Sequence, residues 1–268
     1  MEDRIKITVT DGVADVRLVR TDKMNALDKA MFEAIVAAGE QLRNDPAVRV
    51  VVLSGEGKAF CAGLDMSNFA AQASPDAEPG QAASTPLMER THGLANRFQH
   101  AAWVWRELPV PVIAALHGVA LGGGFQLALG ADVRYAAPGT RMAVLEIKWG
   151  LVPDMAGTQL MRHLARDDVI RELTYTGRMF EAEEAQSLGF VTRVCKDPLA
   201  EALETARYIA GRNPDAIRAD KQLLNQSLYL NEADGLMLES ELQDAVIGKP
   251  NQVEAVMAEL EGRAANYG

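Results

Sequence analysis

The sequence has only two cysteines, Cys61 and Cys195, among 268 residues. It therefore has no framework of disulfide bonds, and this favours a reducing compartment. No apolar run is long enough to cross a bilayer, and the charged start of the chain is not typical of a signal peptide. We expect a cytoplasmic protein without a membrane partner.

Positive charge is also scarce, because 27 lysines and arginines face 37 aspartates and glutamates, giving a net charge of −10. This balance argues against nucleic acid as a main partner. The glycine fingerprint of dinucleotide-binding folds and the Gly-Lys-Ser/Thr of phosphate loops are both missing, which disfavours nucleotide cofactors. No histidine or cysteine cluster has the spacing of metal ligands, so we predict no metal and no separate cofactor.

The composition that is present is ordinary for a globular protein, with 48% hydrophobic and 24% charged residues. Short apolar runs alternate with helical periodicity over the first two thirds of the chain. From Pro198 onward, the pattern is helical only. The sequence thus predicts an α/β fold with a core at 1–197 and a helical region at 198–268.

Local signals place several elements. Asp11-Gly12 between two alternating segments predicts a hairpin, and Asp28 is placed to cap a helix that runs to Leu42. An apolar stripe predicts a long helix over 88–108. The segment 70–86 is rich in Ala, Ser, Pro and Gln, and we expect a mobile loop that covers a pocket. Further predicted helix caps are Asn213, Asn231 and Asn251.

One stretch, from Leu116 to Gly130, combines a buried strand before it, the triplet Gly122–Gly124, and a helix predicted to start at Gln126. Glycine lets a backbone approach a ligand closely, and a helix start presents free N–H groups. Such a place suits a phosphate or an oxygen that gains negative charge during a reaction.

Several motifs in order resemble the enoyl-CoA hydratase/isomerase family, also called the crotonase family. The resemblance spans most of the chain, from about residue 5 to residue 230. Its motifs are Asn25-Ala-Leu27, Phe60-Cys-Ala-Gly-Leu-Asp65, Pro111-Val-Ile-Ala-Ala, Gly118-Val-Ala-Leu-Gly-Gly-Gly124, Leu145-Glu-Ile-Lys-Trp-Gly-Leu-Val-Pro153, Gly157-Thr-Gln159 and the segment Thr176 to Val191.

This resemblance implies a spiral of repeated strand–strand–helix units with a C-terminal helical region used in trimerisation. It also implies an acyl-CoA ligand and a homotrimer or a dimer of trimers. By position, the backbone N–H groups that hold the thioester oxygen in the family belong here to Leu64 and Gly123. Coenzyme A would enter as part of the substrate.

The acidic residues depart from the family's hydratases, which carry two glutamates. One of the two positions holds Gln126 here, and the other holds Glu146. An amide cannot act as a base near neutral pH, although it can hydrogen-bond a water or a carbonyl. Asp154, eight residues after Glu146, matches an acid of the family's dienoyl-CoA isomerases; its alternative role is a helix N-cap. Glu146 and Asp154 are the predicted catalytic residues.

Four further residues are candidates for contact with the substrate or coenzyme A: Lys23, Ala62, Asp65 and Gln126. Lys23 is equally compatible with a solvated loop lysine. Gln126 is equally compatible with a neutral helix residue that faces the pocket.

The resulting functional hypothesis is double-bond isomerisation of an enoyl-CoA or dienoyl-CoA through a stabilised enolate. The alternatives are an enoyl-CoA hydratase and a non-catalytic acyl-CoA binder. A thioester hydrolase or dehalogenase also stays open, since one fold hosts several chemistries.

Overall fold

The computed structural model describes residues 3–65 and 86–268. The predicted mobile loop at 70–86 therefore lies, apart from Pro86, outside the described residues. Within the described part of the chain, no helix is long and apolar enough to cross a membrane.

Nine strands and ten α-helices make up the described chain. The strands are β1 (Ile5–Thr10), β2 (Val13–Leu18), β3 (Val50–Gly55), β4 (Val112–Leu116), β5 (Val119–Leu121), β6 (Val133–Ala136), β7 (Arg141–Ala143), β8 (Phe180–Glu181) and β9 (Arg193–Val194). The helices are α1 (Lys29–Arg43), α2 (Arg97–Glu107), α3 (Gly123–Leu129), α4 (Gly157–Met161), α5 (Asp167–Thr176), α6 (Ala182–Leu188), α7 (Pro198–Ala210), α8 (Pro214–Ser227), α9 (Glu232–Val246) and α10 (Pro250–Glu261). Two 3-10 helices lie at Thr21–Lys23 and Glu146–Trp149.

The strands form two sheets. The larger has the order β1-β2-β3-β4-β6-β9, in which only the β1–β2 pair is antiparallel. The smaller has the order β5-β7-β8. Strands that follow each other in the chain, such as β4 and β5, belong to different sheets. The chain therefore adds strands to both sheets in turn. This agrees with the predicted repetition of strand–strand–helix units.

The main hydrophobic core lies between the sheets and helices α1 to α3, and includes the fully buried Trp105, Phe60 and Phe125. A second cluster joins the larger sheet to α7 through Ala202, Ala206 and other small side chains. Helix α7 thus packs on the sheet. The division of the chain at 197/198 stays a prediction.

Most local predictions are confirmed. The hairpin turns at Asp11 and Gly12, where both residues have positive φ. The Asp28 carboxylate accepts the Met31 N–H at 2.8 Å and caps α1. Asn213 and Asn231 cap α8 and α9 through their side chains.

Other predictions are wrong. The long helix predicted over 88–108 begins only at Arg97, because Asn96 forms a capping box with Gln99 and Gly93 turns the chain with positive φ. Asn251 is not a cap: α10 begins after Lys249 with Pro250 in its first turn. Helix α3 begins at Gly123, three residues before the predicted start. Strand β5 was not predicted.

Candidate active site

The glycine triplet forms the turn between β5 and α3. Gly122 has φ +50°, a left-handed conformation that favours glycine, and its N–H donates to Ala143 O at 2.9 Å. Gly123 is the first residue of the helix, so its N–H has no partner inside the helix. Among the described residues, no backbone carbonyl accepts that N–H.

The second backbone group comes from the segment around Leu64, which pairs in parallel with Leu27. Leu27 N–H donates to Gly63 O at 2.8 Å, and Asp65 N–H donates to Leu27 O at 3.1 Å. In a parallel ladder the residue between these two bonds directs its own N–H to the opposite side. Leu64 N–H therefore faces away from Leu27, and in the described chain no backbone carbonyl accepts it.

These two segments are neighbours. A methyl group on Gly63 would lie 3.7 Å from the Gly123 nitrogen, and Leu121 N–H donates to Cys61 O at 3.1 Å. The fold thus brings the predicted pair of donors, Leu64 and Gly123, to one place. Their role as an oxyanion site stays a proposal.

Glu146 starts the 3-10 helix that follows β7, and its carboxylate lies beside the glycine turn. A methyl group on Gly122 would lie 3.4 Å from Glu146 Oε1. The other oxygen, Oε2, is buried and has no hydrogen-bond partner among the described residues. Burial raises the pKa of Glu146, its own backbone N–H and the hydrogen bond from Gln126 oppose the rise, and the negative charge of Asp154 adds to it.

Gln126 is buried, and it connects Glu146 to the start of α4. Its Nε2 donates to Glu146 Oε1 at 2.6 Å. Its Oε1 accepts the Met155 N–H at 3.0 Å and the Gly157 N–H at 2.9 Å. The side chain that occupies the place of the family's first glutamate is therefore bound to the second.

Asp154 lies close enough to Glu146 to affect its titration. Its side chain is exposed, yet the protein around it removes enough water to raise its pKa. The alternative role as a helix N-cap is wrong, because Ala156, with φ +64°, takes the N-cap position of α4 and no side chain caps it.

The other predicted ligand contacts lie around the same segments. Asp65 is buried and its carboxylate lies 2.6 Å from Arg20 Nη1. Ala62 N–H donates to Met24 O at 2.9 Å, and Lys23 is exposed in the first 3-10 helix. Contact of Lys23, Ala62 and Asp65 with coenzyme A stays a prediction.

Two other chemistries find no support in the described residues. No group of three or more His, Cys, Asp or Glu side chains in residues 3–65 and 86–268 is arranged to hold a metal ion. Cys61 is fully buried, and burial raises the pKa of its thiol to about 12, so the thiolate of a nucleophile is not available at neutral pH.

Sequence reasoning missed the partners of the predicted residues. The backbone donors Met155 and Gly157 fix Gln126, and Arg20 holds Asp65. Backbone N–H groups have no sequence signature. The glycine at position 157 was the one available hint, since it lies in a motif of the resemblance.

Comparison with known proteins agrees with this geometry. The profile of the family "Enoyl-CoA hydratase/isomerase" matches residues 8–268. The crystal structure of an enoyl-CoA hydratase from Bacillus anthracis superimposes with a TM-score of 0.87 at 30% identity, covering 98% of each chain.

Two curated relatives represent both named activities. The mitochondrial methylglutaconyl-CoA hydratase of Mus musculus is 28% identical over 96% of this chain and 79% of its own length. The mitochondrial Delta(3,5)-Delta(2,4)-dienoyl-CoA isomerase of Homo sapiens is 31% identical over 94% of this chain and 77% of its own length.

The crotonase fold predicted from the sequence is confirmed by the structural match, with two mixed sheets followed by C-terminal helices. The full-length agreement with the family, in sequence and in structure, shows that this chain belongs to the enoyl-CoA hydratase/isomerase (crotonase) family of acyl-CoA enzymes.

Proposed function

We propose that this protein moves the double bond of an enoyl-CoA thioester, with Glu146 as the proton carrier. The observation that carries the proposal is the hydrogen bond from Gln126 Nε2 to Glu146 Oε1 at 2.6 Å. An amide takes the place of a second acid, so proton transfer near the glycine turn falls to one carboxylate. Isomerisation needs one carboxylate, because the proton removed from one carbon is returned to another.

The enolate formed in this reaction needs stabilisation. Removing a proton from C2, next to the thioester carbonyl, places negative charge on the carbonyl oxygen. The N–H groups of Leu64 and Gly123 are neighbours without backbone acceptors in the described chain, and they supply donors for that charge. In a water-excluded site, one such donor is worth about 3 kcal/mol of barrier.

Glu146 has the properties of the base. Burial raises the pKa of its carboxyl, which makes the carboxylate a stronger proton acceptor. For a 3-enoyl thioester, Glu146 takes a proton from C2, the electron pair spreads over the dienolate, and the same carboxyl returns the proton to C4. The C2–H bond breaks, the C4–H bond forms, and the product is the 2-enoyl thioester.

Asp154 extends the reaction to longer conjugated substrates. Its charge acts on Glu146, it begins no helix, and the protein around its exposed side chain removes enough water to raise its pKa. With a 3,5-dienoyl thioester the second proton transfer occurs at a more distant carbon, where Asp154 would serve.

Hydration is the second candidate, and the names of relatives such as methylglutaconyl-CoA hydratase favour it. In the described part of the chain, Glu146 is the acid placed beside the turn, so a hydratase of this chain would add water with that carboxylate. Gln126 offers a water no free acceptor, because its carbonyl oxygen already accepts two N–H groups, and one of the two Nε2 hydrogens is used on Glu146. A non-catalytic acyl-CoA binder would have no need of a buried carboxylate with a raised pKa.

The test is a substrate panel of 2-enoyl, 3-enoyl and 3,5-dienoyl thioesters, with products separated by chromatography. We expect double-bond shift with 3-enoyl or 3,5-dienoyl substrate and slow water addition to the 2-enoyl substrate. Glu146→Gln keeps the shape of the side chain and removes the base, so turnover should fall by about a hundredfold or more with little change in KM.

The matched control is Glu33→Gln, since Glu33 is an exposed residue of α1 whose carboxylate lies 3.9 Å from Lys29 Nζ. It should leave turnover unchanged. Fast hydration of 2-enoyl-CoA without any double-bond shift would contradict the isomerase proposal.

A further inference from the structure

We propose that Gln126 is a positioning residue that determines which oxygen of Glu146 takes the proton. This inference rests on the proposed role of Glu146 as a base. It goes beyond that role, because it gives the amide at position 126 a function of its own.

The orientation of the Gln126 amide follows from its partners. The backbone N–H groups of Met155 and Gly157 only donate, so they require the carbonyl oxygen of the amide, at 3.0 and 2.9 Å. The NH₂ group must then face Glu146, whose Oε1 lies 2.6 Å away. Because every role in this chain of bonds is fixed, a flipped amide would lose all three hydrogen bonds.

The backbone around the amide is shaped for this contact. Ala156 has φ +64°, and it separates the two residues whose N–H groups point at Gln126 Oε1. A methyl group on Gly157 would lie 2.5 Å from the same oxygen. A side chain at 157 would thus displace the amide, and the glycine allows the contact.

The hydrogen bond from Gln126 gives the two carboxylate oxygens of Glu146 different environments. Oε1 is occupied by the Gln126 donor, whereas Oε2 is buried and has no hydrogen-bond partner among the described residues. A donor to a carboxylate favours its ionised form, which agrees with the lowering effect of Gln126 on the pKa of Glu146. Gln126 therefore leaves Oε2 as the proton acceptor and keeps Glu146 ready to accept.

A glutamate at position 126 would work differently. It would keep an oxygen for Met155 and Gly157, but its second oxygen would face Glu146 Oε1 at hydrogen-bond distance. Two carboxylates so close must share a proton, and the pair then titrates in two steps.

The experiment compares the wild-type protein with Gln126→Met, Gln126→Glu and the control Gln159→Met. Gln159 is exposed on α4, and its side-chain Nε2 donates to Thr158 Oγ1 at 3.4 Å. The first readout is the titration of Glu146, followed by its infrared carboxyl band and identified by its loss in Glu146→Gln. The second is deuterium exchange at C2 of a saturated acyl-CoA in D₂O, which needs a base and an oxyanion site but no double bond.

For Gln126→Met we expect the Glu146 titration to move to higher pH and the exchange rate at saturating thioester to fall about tenfold, with KM unchanged. For Gln126→Glu, which keeps the acceptor for both backbone donors, we expect a two-step titration and an acid limb of exchange at higher pH. Gln159→Met should match the wild type.

A wild-type titration and exchange rate in either Gln126 variant would overturn the inference, and the Gln126→Glu result decides the matter if Gln126→Met does not fold. The failure of the isomerase proposal has another signature. In that case the enoyl panel shows no double-bond shift, while the C2 exchange and its dependence on Gln126 persist.

Discussion

The carboxylate of Asp65 lies 2.6 Å from Arg20 Nη1, one residue after the proposed oxyanion donor Leu64. Both side chains are nearly buried, with 9% and 14% of their surfaces exposed. Arg20 Nη1 also donates to Ala26 O at 3.0 Å, next to the residue that pairs with Leu64. The ion pair thus joins the two segments whose ladder directs the Leu64 N–H.

We therefore predict that Asp65→Asn shifts the Leu64 N–H and lowers turnover by about tenfold. This corresponds to a rise of about 1.4 kcal/mol in the activation barrier. Breaking a mostly buried ion pair should also cost about 3 kcal/mol of unfolding free energy. Steady-state kinetics and denaturant unfolding measure the two effects. The control is Asp22→Asn, at an exposed aspartate two residues after Arg20. Wild-type turnover in Asp65→Asn would refute the positioning role of Asp65.

Short-range signals account for the correct local predictions, and the overlong helix came from giving such signals too little weight. The Asp28 cap and the Asp11-Gly12 hairpin depend on residues within a few positions, so they were predictable. The helix expected over 88–108 was too long because the apolar stripe outweighed Gly93 and Asn96. For the start of this helix, the capping residue and the glycine before it are better indicators than the apolar periodicity.

The candidate site shows the same division. Motifs identified Glu146 and Gly123, because an acidic residue and a glycine turn can be recognised from residue type and spacing. The contact of Gln126 with Glu146 spans 20 positions and depends on backbone donors brought in by α4. Such a contact follows from the packing of helices, which periodicity does not describe.

The glycine at position 123 gives a second prediction. A methyl group there would lie 2.7 Å from Met155 Sδ and 2.9 Å from Leu27 Cδ1, which are the ends of flexible side chains. Gly123→Ala should therefore fold, while the added methyl group fills the space beside the donor and lowers turnover by at least about tenfold. Kinetics and thermal unfolding measure this.

Gly235→Ala is the matched control for that variant. Gly235 lies in α9, and a methyl group there would meet nothing within 4 Å. Since alanine is the better helix former, stability should stay equal or rise by up to about 1 kcal/mol, with activity unchanged. Equal activity of the two variants would exclude the role of Gly123.

The third prediction concerns the pH dependence of stability. Burial raises the pKa of Glu146 in the folded protein above its value in the unfolded chain. Below the unfolded pKa the group is protonated in both states and costs nothing. At higher pH its ionisation destabilises the folded state. Glu146→Gln removes this cost. Thermal unfolding should show a gain in stability at pH 8 that shrinks towards pH 5, and a gain that is larger at pH 5 would contradict the direction of the shift.

The fourth prediction is oligomerisation. Large apolar side chains remain exposed on the last three helices, at Leu224, Leu236, Met237, Val253 and Leu260. Monomeric proteins rarely expose so much apolar surface in one region, so we expect a homotrimer or a dimer of trimers. Light scattering at micromolar concentration should give three or six times the mass of the chain.

A charged substitution tests whether those helices form the interface. Leu236→Glu should shift the assembly towards smaller species, because burying a carboxylate against apolar surface is costly. Met88→Glu, at an exposed apolar residue outside the helices, should leave the assembly unchanged. A monomeric wild-type protein would exclude the assembly altogether.

The last prediction separates the two substrate classes by means of Asp154. Asp154→Asn should lower turnover of a 3,5-dienoyl thioester by at least about a hundredfold if Asp154 carries the distant proton, because an amide cannot do so. With a 3-enoyl thioester, turnover should change by less than about threefold. The charge of Asp154 raises the pKa of Glu146, so its removal should also move the acid limb of 3-enoyl turnover to lower pH. Asp220→Asn, at an exposed residue of α8, is the control, and equal losses with both substrates would show that Asp154 supports the fold of the loop instead of the second proton transfer.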